Sequence, residues 1–424
     1  MTPRPGSRLA LLLRAFESRN YRLFFAGQSI SLVGTWMQQV AMSWLVYRLT
    51  GSALLLGTMG FASQFPTFLL APLAGVLADR RERRSLLLAT QVLAMLQALV
   101  LAVFVFSGQI QVWHLVLLSI LLGVINAFDL PVRQSFIIDL VEKKEDLGNA
   151  IALNSSMVTG ARLIGPTIAG LLVATMGEGV CFAVNALSYL GVIAAIAAMR
   201  LEPKPIRANQ KKILLELREG VSYALGFPPI RNILALMGLV SLMGMPYAIL
   251  MPIFAKEVLH GDAQTYGFLL AAAGGGALAS TLSMAARRTV LGLGKVITGA
   301  AIIFGVGIAG FALSRHLALS LAFLFLSGGG AMAVIACCNT ILQTVVDNDK
   351  RGRVMSLFTM SFMGMTPVGS LLAGLIASSI GPQTTLIIGG IACGLGGVFF
   401  GRQIPVMRKL VRPIYLRLGI IPEE

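Results

Sequence analysis

The chain is predicted to be an all-α membrane protein with twelve transmembrane helices arranged as two six-helix repeats. Three observations carry that expectation: a composition suited to lipid, an alternation of basic and bare loops, and an internal repeat. Of the 424 residues, 56% are hydrophobic and 12% charged, and the mean hydropathy is +0.82. Soluble globular chains carry about 25% charged residues. A spanning helix needs about 20 apolar residues, so twelve of them with short loops consume the chain and leave no sizeable soluble domain.

Apolar segments predict helices near 23–47, 53–78, 85–106, 112–132, 149–174, 179–199, 232–255, 265–286, 294–313, 317–343, 355–379 and 384–403. Their glycines and prolines are tolerated better in membrane helices than in soluble ones. Lys and Arg crowd the N-terminal tail, the loops at 79–85, 133–148, 200–231, 287–295 and 350–353, and the C-terminal tail. Arg48, Lys256 and Arg315 are the basic residues of the alternate loops. That positive-inside pattern predicts both termini in the cytoplasm and a multi-pass protein of the inner (cytoplasmic) membrane. It also explains the net charge of +16; no basic and aromatic run outside the membrane segments offers a nucleic-acid face. Arg4, Arg8, Arg14, Arg19 and Arg22 precede a long apolar segment without a small-residue cleavage site, so that segment is expected to be retained as the first helix.

The expected organisation is a cytoplasmic tail (1–22), an N-terminal six-helix bundle (23–199), a cytoplasmic linker (200–231), a C-terminal six-helix bundle (232–403) and a second cytoplasmic tail (404–424). In the linker, Ile213, Leu214, Leu217, Val221 and Leu225 share one face of a short amphipathic helix. Such a helix lies on the inner leaflet; a soluble linker helix is the alternative. The repeat is visible at an offset of 204 residues: Gly148, Leu153, Gly160, Gly165, Gly170, Leu171 and Gly177 recur as Gly352, Leu357, Gly364, Gly369, Gly374, Leu375 and Gly381. The fifth and eleventh helices are thus counterparts in two parallel halves.

Little in the chain points to catalysis. Cys181, Cys337, Cys338 and Cys393 lie inside apolar segments without metal or disulfide spacing and read as packing residues. His114, His260 and His316 map to the outer side, apart from one another. There is no phosphate-binding Gly-x-x-x-x-Gly-Lys-Ser/Thr loop. The glycines at 274–276 and 328–330 fall within membrane helices, so no enzyme, metal or cofactor is expected.

The residues that could carry function are polar groups inside the spans. The loop after the second helix reads Gly75-Val-Leu-Ala-Asp79-Arg80-Arg81-Glu82-Arg83-Arg84. Gly75 permits close helix packing, and Asp79 suits a helix N-terminus. The fourth helix carries Asn126, Asp129, Pro131 and Arg133, and an acid near hydrocarbon needs a partner. The fifth reads Gly160-Ala-Arg162-Leu-Ile-Gly165-Pro166-Thr-Ile-Ala-Gly170. Its glycines and proline permit bending and close packing. Arg162 lies near mid-membrane, either as an anion-attracting or proton-pathway residue or as a staple to carbonyls or Asn126. The first helix carries Gln28, Ser31, Thr35 and Gln38 on one stripe, with Trp36 and Gln39 beside them. Such a stripe turns inward, to a cavity or to helix packing. Met245, Pro246 and Tyr247 of the seventh helix and Asn339, Thr340 and Gln343 of the tenth are candidates to face it.

The loop at 75–84 resembles the signature of the major facilitator superfamily, Gly-x-Leu-x-Asp-Arg-x-Gly-Arg-Arg, with Glu82 in place of the second glycine. The Gly165-Pro166 segment is similar to the motif of its antiporter branches. Thr50-Gly51-Ser52, Asn126–Arg133, Asn149-Ala-Ile-Ala-Leu-Asn154 and Arg351-Gly352-Arg353 resemble the drug-efflux branch of macrolide and enterobactin exporters, the transmembrane secretion effectors. The resemblance implies a major facilitator fold and export of small amphipathic molecules by alternating access, with proton antiport. It also implies a conformational latch of Gly75, Asp79, Arg80, Arg83, Arg84 and Asp129, with Arg83 reaching Asp129; the bland alternative pairs Asp129 with Arg133. The expected partners are membrane lipid, a small amphipathic substrate and protons, and the expected state is a monomer. The alternatives are a uniporter, a lipid or lysophospholipid transporter on the same fold, and a non-transporting membrane receptor.

Overall fold

In the computed structural model, which describes residues 13–80, 82–141, 143–200, 221–287, 289–347 and 350–421, the chain is helical almost throughout, and no strand occurs among the described residues. The long helices are α1 (Arg19–Thr50), α2 (Ala53–Arg80), α3 (Arg83–Phe106), α4 (Val112–Leu140), α5 (Leu147–Met176) and α6 (Glu178–Ala198). They continue as α7 (Pro228–Val258), α8 (Ala263–Ala285), α9 (Leu293–Leu313), α10 (Leu317–Val345), α11 (Arg351–Ile380) and α12 (Pro382–Arg417). Eleven of the twelve are long and apolar enough by themselves to cross a membrane. The other, α1, is long enough, but its glutamines, serines and threonines dilute its apolar character.

Several ends differ from the sequence expectation. The helix α4 runs through Pro131 to Leu140 instead of ending near 132, and α12 continues past 403 through Pro405 and Pro413 to Arg417. A helical proline breaks one ladder bond, and that cost is met here without ending the helix. The amphipathic linker lies mostly outside the described residues. At its described end, Val221 and Leu225 are exposed and Ala224 is buried.

The repeat is visible in the helix ends. Both ends of α5 lie 204 positions before those of α11, and α6 and α12 begin 204 positions apart. Each corner turns on a glycine with positive φ, 84° at Gly177 and 89° at Gly381, a conformation that a side chain rarely adopts. The halves are not identical: α11 carries a π-bulge at Met360–Gly364, and α7 carries two, at Val240–Gly244 and Phe254–Val258. Such bulges insert a residue into the helical ladder and concentrate at functional sites.

The chain groups into two compact units. One comprises residues 1–45 and 66–209, the other 46–65 and 210–424, so the corner between α1 and α2 belongs with the C-terminal helices. In the first unit, α1 and α5 run parallel. The Tyr21 hydroxyl donates to the Ala150 carbonyl at 2.9 Å, and Trp36 packs where a Cβ on Gly165 would stand 2.6 Å from its own Cβ. Both pairs are separated by the same number of positions. Tyr21, Phe24, Leu87, Phe136, Ala150 and Ile196 form the core at one end of this unit.

In the second unit small residues bring backbones together. A Cβ on Gly390 would come within 2.6 Å of the Gly305 carbonyl oxygen, and one on Gly307 within 2.8 Å of the Phe323 carbonyl. Without water to drive association, close contact of this kind supplies much of the packing energy of membrane helices. The four cysteines are buried and free.

Candidate functional site

The polar groups of the first unit fall into three sets. The first surrounds Asp129 on α4, 5% exposed. One carboxylate oxygen accepts from Gln91 Nε2 at 2.6 Å and from Thr90 Oγ1 at 3.0 Å. The other lies 3.5 Å from Arg133 Nε, one helical turn away. A buried carboxylate requires this degree of compensation. Arg83, expected to reach Asp129, instead donates to Asp139 Oδ2 at 2.9 Å and to the Ser135 carbonyl at 3.3 Å. The reason is the longer α4: its last turns carry Asp139 down beside the start of α3, closer to Arg83 than Asp129 is placed. Arg84 donates to the Ala197 carbonyl of α6 at 2.9 Å. The two arginines therefore pin the start of α3 to α4 and α6. The side chains of Gly75, Asp79 and Arg80 lie outside the described residues, as does Arg81.

The second set is a buried hydrogen-bonded chain through α1, α3 and α6. Asn185 donates to Gln38 at 2.7 Å, Gln38 donates to Gln97 at 2.8 Å, and Gln97 donates to the Leu118 carbonyl at 3.1 Å. Gln38 was expected to line a cavity, but only 2% of it is exposed, and Gln28 and Ser31 are equally enclosed. In this structure Gln38 packs within the bundle, because α3 and α6 present Gln97 and Asn185 to it, whereas Gln28 is buried with its Oε1 unpaired among the described residues. Thr35 is half-buried and lies 3.4 Å from the Tyr189 hydroxyl. Thr90, Gln91, Gln97, Asp139, Asn185 and Tyr189 were missed by sequence reasoning. Amides inside apolar helices were the available signal.

The third set is the accessible face of α5. Ser155, Ser156 and Arg162 are exposed, and Thr159 between them is half-buried. The hydroxyls of Ser155, Ser156 and Thr159 donate to carbonyls of their own helix at 2.9–3.0 Å, which lets them stay in a low-dielectric span. Arg162 lies 5.5 Å over the Trp36 ring, and Gly165 and Pro166 one turn on are buried. Gly170 is buried as well. The 204-residue counterparts of Ser155, Ser156, Thr159 and Arg162 are Thr359, Met360, Met363 and Thr366, so α11 keeps a hydroxyl at the first position, has methionine at the two middle ones and threonine in place of the arginine.

Of the remaining expected lining residues, Asn126 is half-buried. Tyr247 is 4% exposed and packs edge-on to Phe304 at 6.1 Å, inside the second unit. It was expected to face a cavity, but the π-bulge before it turns the ring into the core. Gln343 is exposed and donates to Asn339 at 2.9 Å. Among the described residues no cluster of metal-ligating side chains occurs.

Comparison with known proteins agrees with this architecture. The chain is 24% identical to the staphyloferrin A transporter of Staphylococcus aureus, covering 88% of this chain and 93% of that protein. It is 25% identical to the multidrug efflux pump Tap of Mycolicibacterium fortuitum, with 88% and 92% covered. Macrolide efflux protein A of Streptococcus pyogenes is 23% identical over 88% of this chain and 93% of its own length. Among solved structures, a bacterial homologue of the lysosomal transporter Spinster superposes with a TM-score of 0.67 at 15% identity, over 97% of this chain and 99% of that one. A bacterial homologue of the iron transporter ferroportin superposes with a TM-score of 0.68 at 17% identity, over 94% and 99%. The transmembrane secretion effector family matches residues 12–410, and the chain belongs to that family of major facilitator transporters: it is a multi-pass membrane transporter, not an enzyme.

Proposed function

We propose that the protein exports small amphipathic molecules from the cytoplasm or inner leaflet by alternating access, in exchange for protons, as a monomer of the cytoplasmic membrane with both termini inside. The observation that carries this reading is the accessible polar face of α5. A helix that crosses the membrane cannot present Arg162 to hydrocarbon without large cost, so the face that it shares with Ser155, Ser156 and Thr159 meets a water-filled path and its substrate. The Trp36 ring beside Arg162 supplies apolar surface on the same face, which suits amphipathic molecules. The relatives named for efflux of macrolides and other drugs support the direction. Asp129, whose carboxylate is enclosed in the span, is the coupling group we assign, and Arg83 with Asp139 belongs to the cytoplasmic latch.

The test is uptake of a lipophilic dye panel into inside-out vesicles under an imposed proton gradient. Accumulation that a protonophore abolishes, and that is lost in Asp129→Asn, is the expected outcome. Accumulation unaffected by the protonophore would remove proton coupling and leave a uniporter.

A second reading, lipid or lysophospholipid transport, draws on an apolar groove of about 510 Å³ among α8, α9 and α10, lined by Gly276, Met284, Gly299, Phe325, Leu326 and Gly329. Dye accumulation that lysophospholipid competes away would favour it.

A further inference from the structure

We propose that Arg162 and Trp36 form a receptor for an organic anion, so that the preferred substrates are amphipathic molecules bearing a carboxylate or a similar oxyanion. The inference rests on the export reading above and narrows its substrate class.

Arg162 is the sixteenth of the thirty residues of α5, roughly 23 Å from the inner end of the helix at 1.5 Å per residue. It is exposed. Its one interaction among the described residues is with the Trp36 ring. The other charges deep in the first unit cancel, because Asp129 and Arg133 pair with one another. The accessible face of the unit therefore carries an uncompensated positive charge at the depth where charge is most expensive. A structural staple would have its guanidinium satisfied by carbonyls or a carboxylate, as Arg83 and Arg84 have. Arg162 has neither.

The stacking geometry makes this charge useful. An arginine lying on an aromatic face keeps its planar edge of N–H donors free, and that edge matches the two oxygens of a carboxylate. The indole extends the apolar surface beside it, where a hydrophobic portion of the same ligand can rest. Gly165 fixes the arrangement, since a Cβ there would collide with Trp36 Cβ and with the Val33 carbonyl oxygen at 3.0 Å. The hydroxyls of Ser155, Ser156 and Thr159 continue the same face toward the inner end without adding a competing negative charge.

The test measures binding, so that it stands apart from transport. Equilibrium dialysis of the purified full chain in neutral detergent, with 1-pyrenebutyrate and its uncharged methyl ester as probes, compares the anion with its own neutral form. The wild-type chain is expected to bind the carboxylate at one saturable site at least tenfold more tightly than the ester, because hydrogen bonds to a charged group are stronger than those to a neutral one. Arg162→Gln is expected to erase that preference while leaving ester binding and thermal unfolding unchanged. Arg162→Lys should keep part of it, and Trp36→Leu should weaken both probes. Equal affinity for the two probes in the wild type, unchanged carboxylate binding in Arg162→Gln, or a preference lost only together with the fold would each overturn the proposal. Anion binding that persists in a chain with no dye or anion efflux would instead overturn the export reading.

Discussion

Asp129 and Arg162 each bring a charge into the membrane span, and their neighbours give them opposite characters. Asp129 is enclosed by a threonine, an amide and an arginine, whereas Arg162 is exposed beside a single ring. Removing the Asp129 charge should therefore disturb structure as well as coupling. Asp129→Asn is expected to reduce gradient-driven dye uptake by tenfold or more, and Thr90→Val with Gln91→Leu should lower thermal stability, because a buried carboxylate that loses its donors costs about 1–3 kcal/mol. A melting curve of each variant separates the two effects. The Arg83–Asp139 pair is part-exposed, with side chains 32% and 16% accessible. A double-mutant cycle on thermal unfolding should accordingly return a coupling of about 1 kcal/mol or less, and no coupling between Arg83 and Asp129. A large Arg83–Asp129 coupling would restore the pairing that family resemblance implied.

Helix contacts show where the same residue type matters and where it does not. Gly305 of α9 and Gly390 of α12 meet backbone to backbone, while a Cβ on Gly299 of α9 would meet nothing within 4 Å. Gly305→Leu should destabilise the second unit by about 1–3 kcal/mol or more, because overpacking has no flexible neighbour to displace. Gly299→Leu should be close to neutral by the same melting assay, and would partly fill the groove among α8, α9 and α10. If lipid transport is the activity, that variant should impair it; drug efflux should be indifferent to it. The bulges in α7 and α11 belong to this scale too. Two of the three lie just before Pro246 and Met365, and Tyr247, which follows the first, is buried, which no periodicity in the sequence announces.

At the scale of the molecule, two repeats of one fold have diverged in surface chemistry. Helix ends at a constant offset give the halves common geometry, while α11 has Met360, Met363 and Thr366 where α5 has Ser156, Thr159 and Arg162. Cysteines introduced at residue 2 and at residue 424 should react with a membrane-impermeant maleimide only in inside-out vesicles, if both ends are cytoplasmic. Labelling of intact cells at either position would invert the orientation that the loop charges imply.

The composition, the loop charges and the 204-residue offset determined the helix number and the repeat, because hydrocarbon imposes length and polarity on every span irrespective of its neighbours; the loop at 75–84 carried the resemblance to the family. The partners of polar groups were beyond that reach. Whether Gln38 lined a cavity or packed a bundle depended on Gln97 and Asn185, residues 59 and 147 positions away, and Arg83 chose Asp139 because α4 runs on past its proline. A stripe on one helix states only that a polar face must be answered. Which helix answers it is settled by the packing of all of them, and that left Arg162 as the charge on α5 for which the described residues supply no counter-ion.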